Sequence, residues 1–268
     1  MADLNIKDLV ITSVEVMHFF DVTTGNYKYS LDELQSANIS QTENSTEATG
    51  KNGRRLSTLK RGKSVTVTGN NGVVSGGLLG SQVGDTLTRT TTTVLWTDYV
   101  KVDDEHAATT NYTAVGTAGA EIDQIFVKNA DGTLGTIIEQ AATVAAGKFT
   151  YDPTTKKIQF HTDIAEGTEV AVFYKRQISA DVLANRSGAF SEKVTAYIDV
   201  FAEDKCGKIY RVQFYFPKLS ISGEFSLDMG ENQTVHNFSA NAESSACAGD
   251  NDDVYFTYTI FDEDAPDV

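Results

Sequence analysis

The chain has 268 residues, with 37 acidic and 22 basic side chains and a formal net charge of -15 at pH 7. That length supplies an ample core for one large domain or two smaller ones. That charge repels phosphate, so tight wrapping of nucleic acid is not expected, while its transient passage is not excluded.

The charge is uneven: -1 over residues 1–100 (9 basic, 10 acidic), -5 over 101–192 (8 and 13) and -9 over 193–268 (5 and 14). Only three prolines, with abundant Thr, Val, Tyr and Phe, favour strands over helices, so a mostly β fold is expected. No window approaches the ~20 apolar residues of a membrane span. The opening MADLNIKD has no basic segment followed by an apolar one, so a soluble protein without a secretion signal is expected. Cys206 and Cys247 lie in or beside predicted turns and are expected as free thiols.

Residues 9–19, LVITSVEVMHF, read as a first long strand, closed by the turn-forming DVTTGN of residues 21–26. Ser30 with Glu33 three residues on has capping-box spacing, and Leu31 and Leu34 supply one apolar stripe, so a short helix is predicted there. From Asn38 to Lys63 the sizeable apolar side chains are Ile39, Leu56 and Leu59. These are too few to order a segment by itself, and a long functional loop is predicted. Its second half carries Lys51, Arg54, Arg55, Lys60, Arg61 and Lys63, six positive charges in thirteen residues with no acid among them. A solvated charge run is the plain alternative. The contrast with the acidic C-terminal region favours an arm that docks on an acidic surface.

Residues 64–68, SVTVT, read as a strand that turns at the GNNG of residues 69–72, with a short helix after it within residues 73–83. Thr90 to Val102 is a further strand, whose Trp96 is expected in the core. Residues 103–180 read as a separate module with its own hairpins. Strands at 122–127 and 134–138 flank NADG, strands at 149–151 and 158–160 bracket DPTTK, and Val170, Val172 and Tyr174 alternate in another. That pattern suits a small β-sandwich. The organisation expected is a main domain from residues 1–102 and 181–268 with a module at 103–180 inserted.

The clearest stretch is residues 194–228. Val194, Ala196, Ile198 and Val200 share one face of a first strand; Tyr210, Val212, Phe214 and Phe216 share one face of a second. After a turn at Pro217-Lys218, a third strand is predicted with Leu219, Ile221, Phe225 and Leu227 on one face and Ser220, Ser222, Glu224, Ser226 and Asp228 on the other. Thr234, His236, Phe238 and Ala240 alternate in one more strand. A polar loop over 241–253 precedes a last strand with Val254, Phe256, Tyr258 and Ile260, and an acidic tail follows.

No constellation carries chemistry. His18, His106, His161 and His236 are scattered without ligand spacing, so no metal site is predicted. Gly62-Lys63-Ser64 looks like the end of a phosphate loop, but Ser57 stands where the first glycine belongs and a strand follows. Residues 250–253, DNDD, lack the glycine and terminal Glu of a calcium loop. No catalytic residue and no cofactor is predicted, and the chain is not read as an enzyme.

The first strand, the capped short helix, the long polar-to-basic loop ending LKRGKSVTVTGNNGVVSGGLLGSQVG and the terminal VTAYIDVFAEDKCGKIYRVQFYFPKLSISGEFSLDMGENQTVHNFSA together resemble the major tail tube protein of long-tailed bacteriophages. The likeness covers residues 1–102 and 181–262. Residues 103–180 depart from the minimal family pattern and resemble the immunoglobulin-like decorations some tail proteins carry. The resemblance implies an antiparallel tail-tube-type sandwich or barrel with one or two short helices, forming six-subunit rings that stack into a hollow tube for the genome. It also implies assembly in the host cytoplasm into the virion tail, and a long loop bridging consecutive rings. The implied partners are further copies of the chain, terminator, tape-measure and baseplate proteins, and DNA in transit, with no membrane. Another virion structural protein and a carbohydrate-binding β-sandwich module are the competing readings.

Overall fold

The structure is a computed structural model that describes residues 8–227, 235–244 and 253–262. Its strands form two sheets, one of them curled as a half-barrel. By contacts the chain divides into two compact units, one of residues up to Leu87 and from Leu183 on, the other of Thr88–Val182.

In the first unit the strands are β1 (Leu9–Asp21), β2 (Tyr27–Leu31), β3 (Leu34–Thr49) and β4 (Arg55–Asn71), then, after the second unit, β12 (Lys193–Asp204), β13 (Ile209–Ile221), β14 (His236–Ala242) and β15 (Thr257–Phe261). They pair antiparallel in the order β2-β1-β12-β13-β14-β4-β3, with β15 also on β13. Period-two alternation decides which side chains are buried. Met17 and Phe19 of β1, Val194, Ala196 and Ile198 of β12, Val212 and Phe216 of β13, and Phe238 and Ala240 of β14 meet in one core.

The turn predicted at Pro217-Lys218 is instead a bulge inside β13. Val194 faces Leu219 and Ala196 faces Phe216, so two steps along β12 match three along β13. Proline has no N–H for a ladder, and a bulge is one of the few places a strand accommodates it. Thr195 Oγ1 donates to Pro217 O at 2.9 Å across the irregularity. The extra residue reverses the parity, which is why Phe216 and Leu219, three apart, both reach the core. Leu219 and Ile221 therefore finish β13 and do not begin a third strand. Beyond them Leu227 makes a single bridge with His236. Asp228, Thr234, Cys247, most of the 241–253 loop and the acidic tail after Asp262 lie outside the described residues.

Two other expectations change. The helix predicted from Ser30 is strand: Tyr29 and Leu31 are buried while Lys28 and Ser30 are not. Ser30 Oγ sits 2.6 Å from His18 Nδ1 and 2.9 Å from Tyr27 Oη, so it serves neighbouring side chains and not a helix end. The loop predicted over residues 38–63 is the hairpin of β3 and β4. Gly69, expected in a turn, lies within β4, where the ring of Phe238 occupies the space a Cβ would need, 2.5 Å away.

The helix predicted within residues 73–83 is present as α1 (Gly76–Val83). Ser75 Oγ caps it by accepting from Leu78 N, and Gly84 ends it at φ +71 with its N–H on Gly80 O. His236 ties this helix to β14. Ser75 N donates to its Nδ1 at 3.3 Å, so Nε2 carries the proton and donates to Gln82 Oε1 at 2.8 Å. Gln82 Nε2 in turn donates to Asn237 O. The ring is wholly buried, and burial holds its pKa below the ordinary value.

The second unit holds β5 (Thr88–Lys101), β6 (Ala107–Thr109), β7 (Ile122–Lys128), β8 (Leu134–Gln140), β9 (Lys148–Asp152), β10 (Lys157–Phe160) and β11 (Glu169–Val182), in the order β5-β11-β7-β8-β9-β10-β6. Its own core includes Ile125, Ile138, Phe149, Ile158, Phe160, Val172 and Tyr174. β5, read from sequence as part of the main domain, belongs here because it pairs with β11 from Lys101↔Glu169 to Thr88↔Val182. β7 covers β11 only over Val170–Tyr174, so the remainder of β5 and β11 runs on as a two-stranded ribbon.

Trp96 stands opposite Tyr174, where that cover ends, and at 36 % exposed it is a surface residue and not the core residue expected. The Arg176 guanidinium lies 4.5 Å from its ring and 3.7 Å from that of Tyr112. Beneath it, buried Asp98 accepts from Trp96 Nε1, the Asn111 backbone N–H and side-chain amide, and the Tyr174 hydroxyl, at 2.6 to 3.0 Å. A buried carboxylate is tolerable when its lone pairs are filled in this way. Burial, and then the Asp98 carboxylate, pushes the Tyr174 phenol above its usual range.

Phe216→Ala is expected to cost ~3 to 5 kcal/mol in urea unfolding, whereas Phe225→Ala, at a half-exposed ring, should cost clearly less; equal losses would refute the bulged register. A second expectation follows from His236. The unfolded chain protonates this ring near pH 6.5 while the folded chain keeps it neutral. Its contribution is therefore complete above about pH 6.5 and is lost as pH falls toward the depressed folded value. Melting curves of the parent and His236→Gln between neutral and mildly acidic pH should converge on acidification, and parallel pH dependences would count against a neutral buried ring.

Candidate assembly surface

β4 is flanked on one side by β14 only from Val65, opposite Ala242, to Asn71, opposite His236. Its other neighbour, β3, pairs with it from Leu34↔Asn71 to Thr49↔Arg55. Residues 42–64 therefore form a two-stranded ribbon outside the main ladder. A 3-10 turn at Lys51–Gly53 closes the tip, with Asn52 and Gly53 at φ 66 and φ 72. An Asn-Gly pair meets that left-handed requirement at little cost. Arg55 to Ser64 spans ~30 Å at ~3.3 Å per residue.

No residue from Asp32 to Ser64 is buried, so both faces of this arm lie in solvent. Leu56 is 60 % exposed and Leu59 46 %. A hairpin with no packed face is marginally stable at best. The outer edge of β3 also has no strand partner among the described residues, and of the two ends of the strand order it is the longer, at 16 residues against 5 for β2. Such an edge is a template for pairing with another chain.

The structure divides the six basic residues marked in the sequence. Arg55 pairs with Glu47 and Lys60 with Glu43 across the ribbon, each at 3.0 Å. Lys51, Arg54, Arg61 and Lys63 make no ion pair among the described residues. With six basic and two acidic side chains, residues 42–64 carry 6 - 2 = +4. The compensating Glu43 and Glu47 lie on β3, and reading the second half of the segment alone could not set them against Arg55 and Lys60.

A different surface lies toward the other end of the strands. Thr66 faces Asn241, and Asn241 faces Ser220, so the direction from Asn71 to Arg55 along β4 runs with that from Ile221 to Ile209 along β13. The arm thus points one way. The other way, past Ile221, a groove of about 480 Å³ is lined by Ser36, Asn38, Asn70, Glu224, Phe225 and Asn237 among others. Asn237 is held by hydrogen bonds with the backbone N–H and hydroxyl of Ser226, and Asn70 donates to Ser36 Oγ. Glu224 is exposed, as are Asp32 and Glu33 at the nearby start of β3, and none of the three has an ion-pair partner among the described residues. The sequence reading placed Glu224 on a polar face but gave no sign of this grouping, which only the pairing of distant strands creates.

No group of His, Cys, Asp and Glu suited to a metal occurs among the described residues. No helix there is long and apolar enough to cross a membrane. What the fold does offer is an antiparallel sheet whose β3 end has no strand partner among the described residues, and an arm with no buried residue. The chain belongs to the YomU/Tube protein family, whose model matches residues 9–256. Membership suggests a phage tube-like structural protein of the virion tail, a typically non-enzymatic class. The match runs through residues 103–180 and does not itself test the immunoglobulin-like character expected there. No curated protein matches the chain.

Exposed pairs such as Arg55–Glu47 and Lys60–Glu43 are worth ~0.2 to 1 kcal/mol each. Changing Arg54, Arg55, Lys60 and Arg61 together to Ser should therefore leave the thermal unfolding of the isolated subunit almost unmoved. A large drop in melting temperature would show that the arm is packed against something within its own chain.

Proposed function

We propose that this protein is a self-assembling tail tube subunit, whose copies close into rings that stack as a hollow tube for delivery of phage DNA to the host. The observation that carries this reading is the arm of residues 42–64, a well-formed ribbon with no buried residue, touched near its base by the Tyr255 hydroxyl, which donates to Lys63 O at 3.2 Å. A ring needs a contact that closes, and a tube needs a second contact that repeats along an axis, so a subunit that builds both must offer two distinct surfaces. The open edge of β3 suits the first and the charged arm the second. Six copies per ring is the number the tail-tube resemblance implies. A net charge of -15 suits a wall along which DNA must slide without sticking. The partners on this reading are further copies, the terminator, tape-measure and baseplate proteins of the tail, and DNA in transit.

Negative-stain images and sedimentation of the concentrated protein should show hollow tubes of uniform width. Tube yield should fall as ionic strength rises, because contacts between exposed charges are screened within ~8 to 10 Å at physiological salt. Growth that stops at single rings would identify a terminator instead. A species that stays monomeric at every concentration and binds glycans saturably would identify a carbohydrate-binding module.

A further inference from the structure

We propose that the polar groove beside Ser36, Asn70, Glu224 and Asn237 is the receptor for the β3–β4 arm of a second copy. The inference rests on the tube reading and deepens it by naming where the arm goes.

Three observations carry it. The first is position: by strand register the arm and the groove lie toward opposite ends of the same sheet. A contact that repeats along an axis must join unlike ends, and these are the two unlike ends that the strand direction defines. The second is charge. Among the described residues Lys51, Arg54, Arg61 and Lys63 of the arm make no ion pair, and neither do Glu224, Asp32 and Glu33 at the groove end. Among the described residues neither set is neutralised by an ion pair, which leaves both available for pairing across copies. The lining residues of the groove include no Lys or Arg that would repel the arm.

The third observation is the chemistry of the walls. Asn, Ser and Thr side chains dominate the groove, with the half-exposed Phe225 and the buried Phe238 as its apolar elements. The arm bears the same kind of surface, with Thr42, Asn44, Ser45, Thr46, Ser57 and Thr58 along its two strands and Leu56 and Leu59 exposed between them. Amide and hydroxyl groups can exchange hydrogen bonds across such a contact, and one leucine can cover the exposed part of the Phe225 ring. An apolar receptor would leave the polar groups of the arm unsatisfied, at a cost for each group. The apolar groove elsewhere on this unit, between Ile11, Val14, Ile39 and Phe214, is for that reason a poorer fit.

The test uses the full chain in three forms. One reverses the groove, Glu33→Lys with Glu224→Lys; one reverses the arm, Arg54→Glu with Arg61→Glu; the third combines all four changes. All four positions are exposed, and circular dichroism and melting curves establish that each form is folded before assembly is scored. At low salt each single reversal should reduce tube yield by at least about tenfold, the equivalent of ~1.4 kcal/mol lost per added subunit, while rings persist. The combined form should regain most of the parent's yield, since its arm and groove are again of opposite sign. If the groove reversal grows tubes as the parent does, the receptor lies elsewhere and the tube reading stands. If both reversals stop growth but the combination does not restore it, the arm and groove are not each other's partners. A parent that forms no tubes at all overturns the tube reading and this pairing with it.

Discussion

The architecture of the first unit depends on how one edge of β13 is shared. Its other edge is occupied by β12 along nearly its whole length. On the shared edge β15 takes Arg211 to Tyr215 and β14 takes Leu219 to Ile221, with the bulge at Pro217 between them. A proline cannot donate to a ladder, so the strand changes partner at the place where it can least use one. Lys218 O accepts from Glu243 N at 2.9 Å as β14 ends beside it. Because β14 ends there, β4 loses its flanking strand below Val65, and from Ser64 back to the tip β3 is its one strand partner among the described residues. The free arm is thus a consequence of where β14 stops, and β14 stops where the bulge hands β13 to β15.

How far the sequence revealed this follows from which residues are buried on one side only. β12 and the first half of β13 alternate cleanly because one face meets the core, so Val194 to Val200 and Tyr210 to Phe216 were legible. The reversal of parity after Pro217 was also legible, but a turn and a bulge leave the same trace in sequence, and only the pairing of Val194 with Leu219 separates them. The arm was illegible for the opposite reason. A ribbon solvated on both faces needs no alternation, and its composition matches that of a loop. The expected helix at Ser30 rested on a two-residue stripe, too short to outweigh the burial of Tyr29 and Leu31 on one strand face. β5 was recognised as a strand, but its Thr-rich half gave no sign that its partner was the polar end of β11 and so no sign of the unit it joins. Among the basic residues the charge was legible and its compensation was not: Glu43 and Glu47 sit opposite Lys60 and Arg55 only once the hairpin register exists.

The two buried polar sites show how each unit fixes its own geometry without chemistry. His236 joins α1 to β14 through one accepted and one donated hydrogen bond, and the neutral ring satisfies both. Asp98 collects four donors from side chains and backbone that otherwise have no common neighbour, and thereby holds Trp96, Asn111 and Tyr174 in one arrangement. Networks of this sort rigidify when complete and destabilise when a member is lost. Packing and hydrogen bonding account for both.

In the proposed tube, weak contacts suffice because of how they repeat. An exposed charge pair contributes little by itself, but a ring presents the same contact at every subunit, and once one arm is seated the next meets its groove at high effective concentration. The signs of the charges also decide which contacts form. Two arms brought together repel, each carrying +4, and two groove ends present carboxylate to carboxylate. Only arm to groove is attractive, so addition has a direction, and the repulsive encounters exclude the wrong ones as effectively as the attractive one selects the right one. The same polar faces that leave the arm unsupported in the isolated subunit keep its long open edge from recruiting apolar strands at random. A subunit built this way adds to a second copy in one orientation.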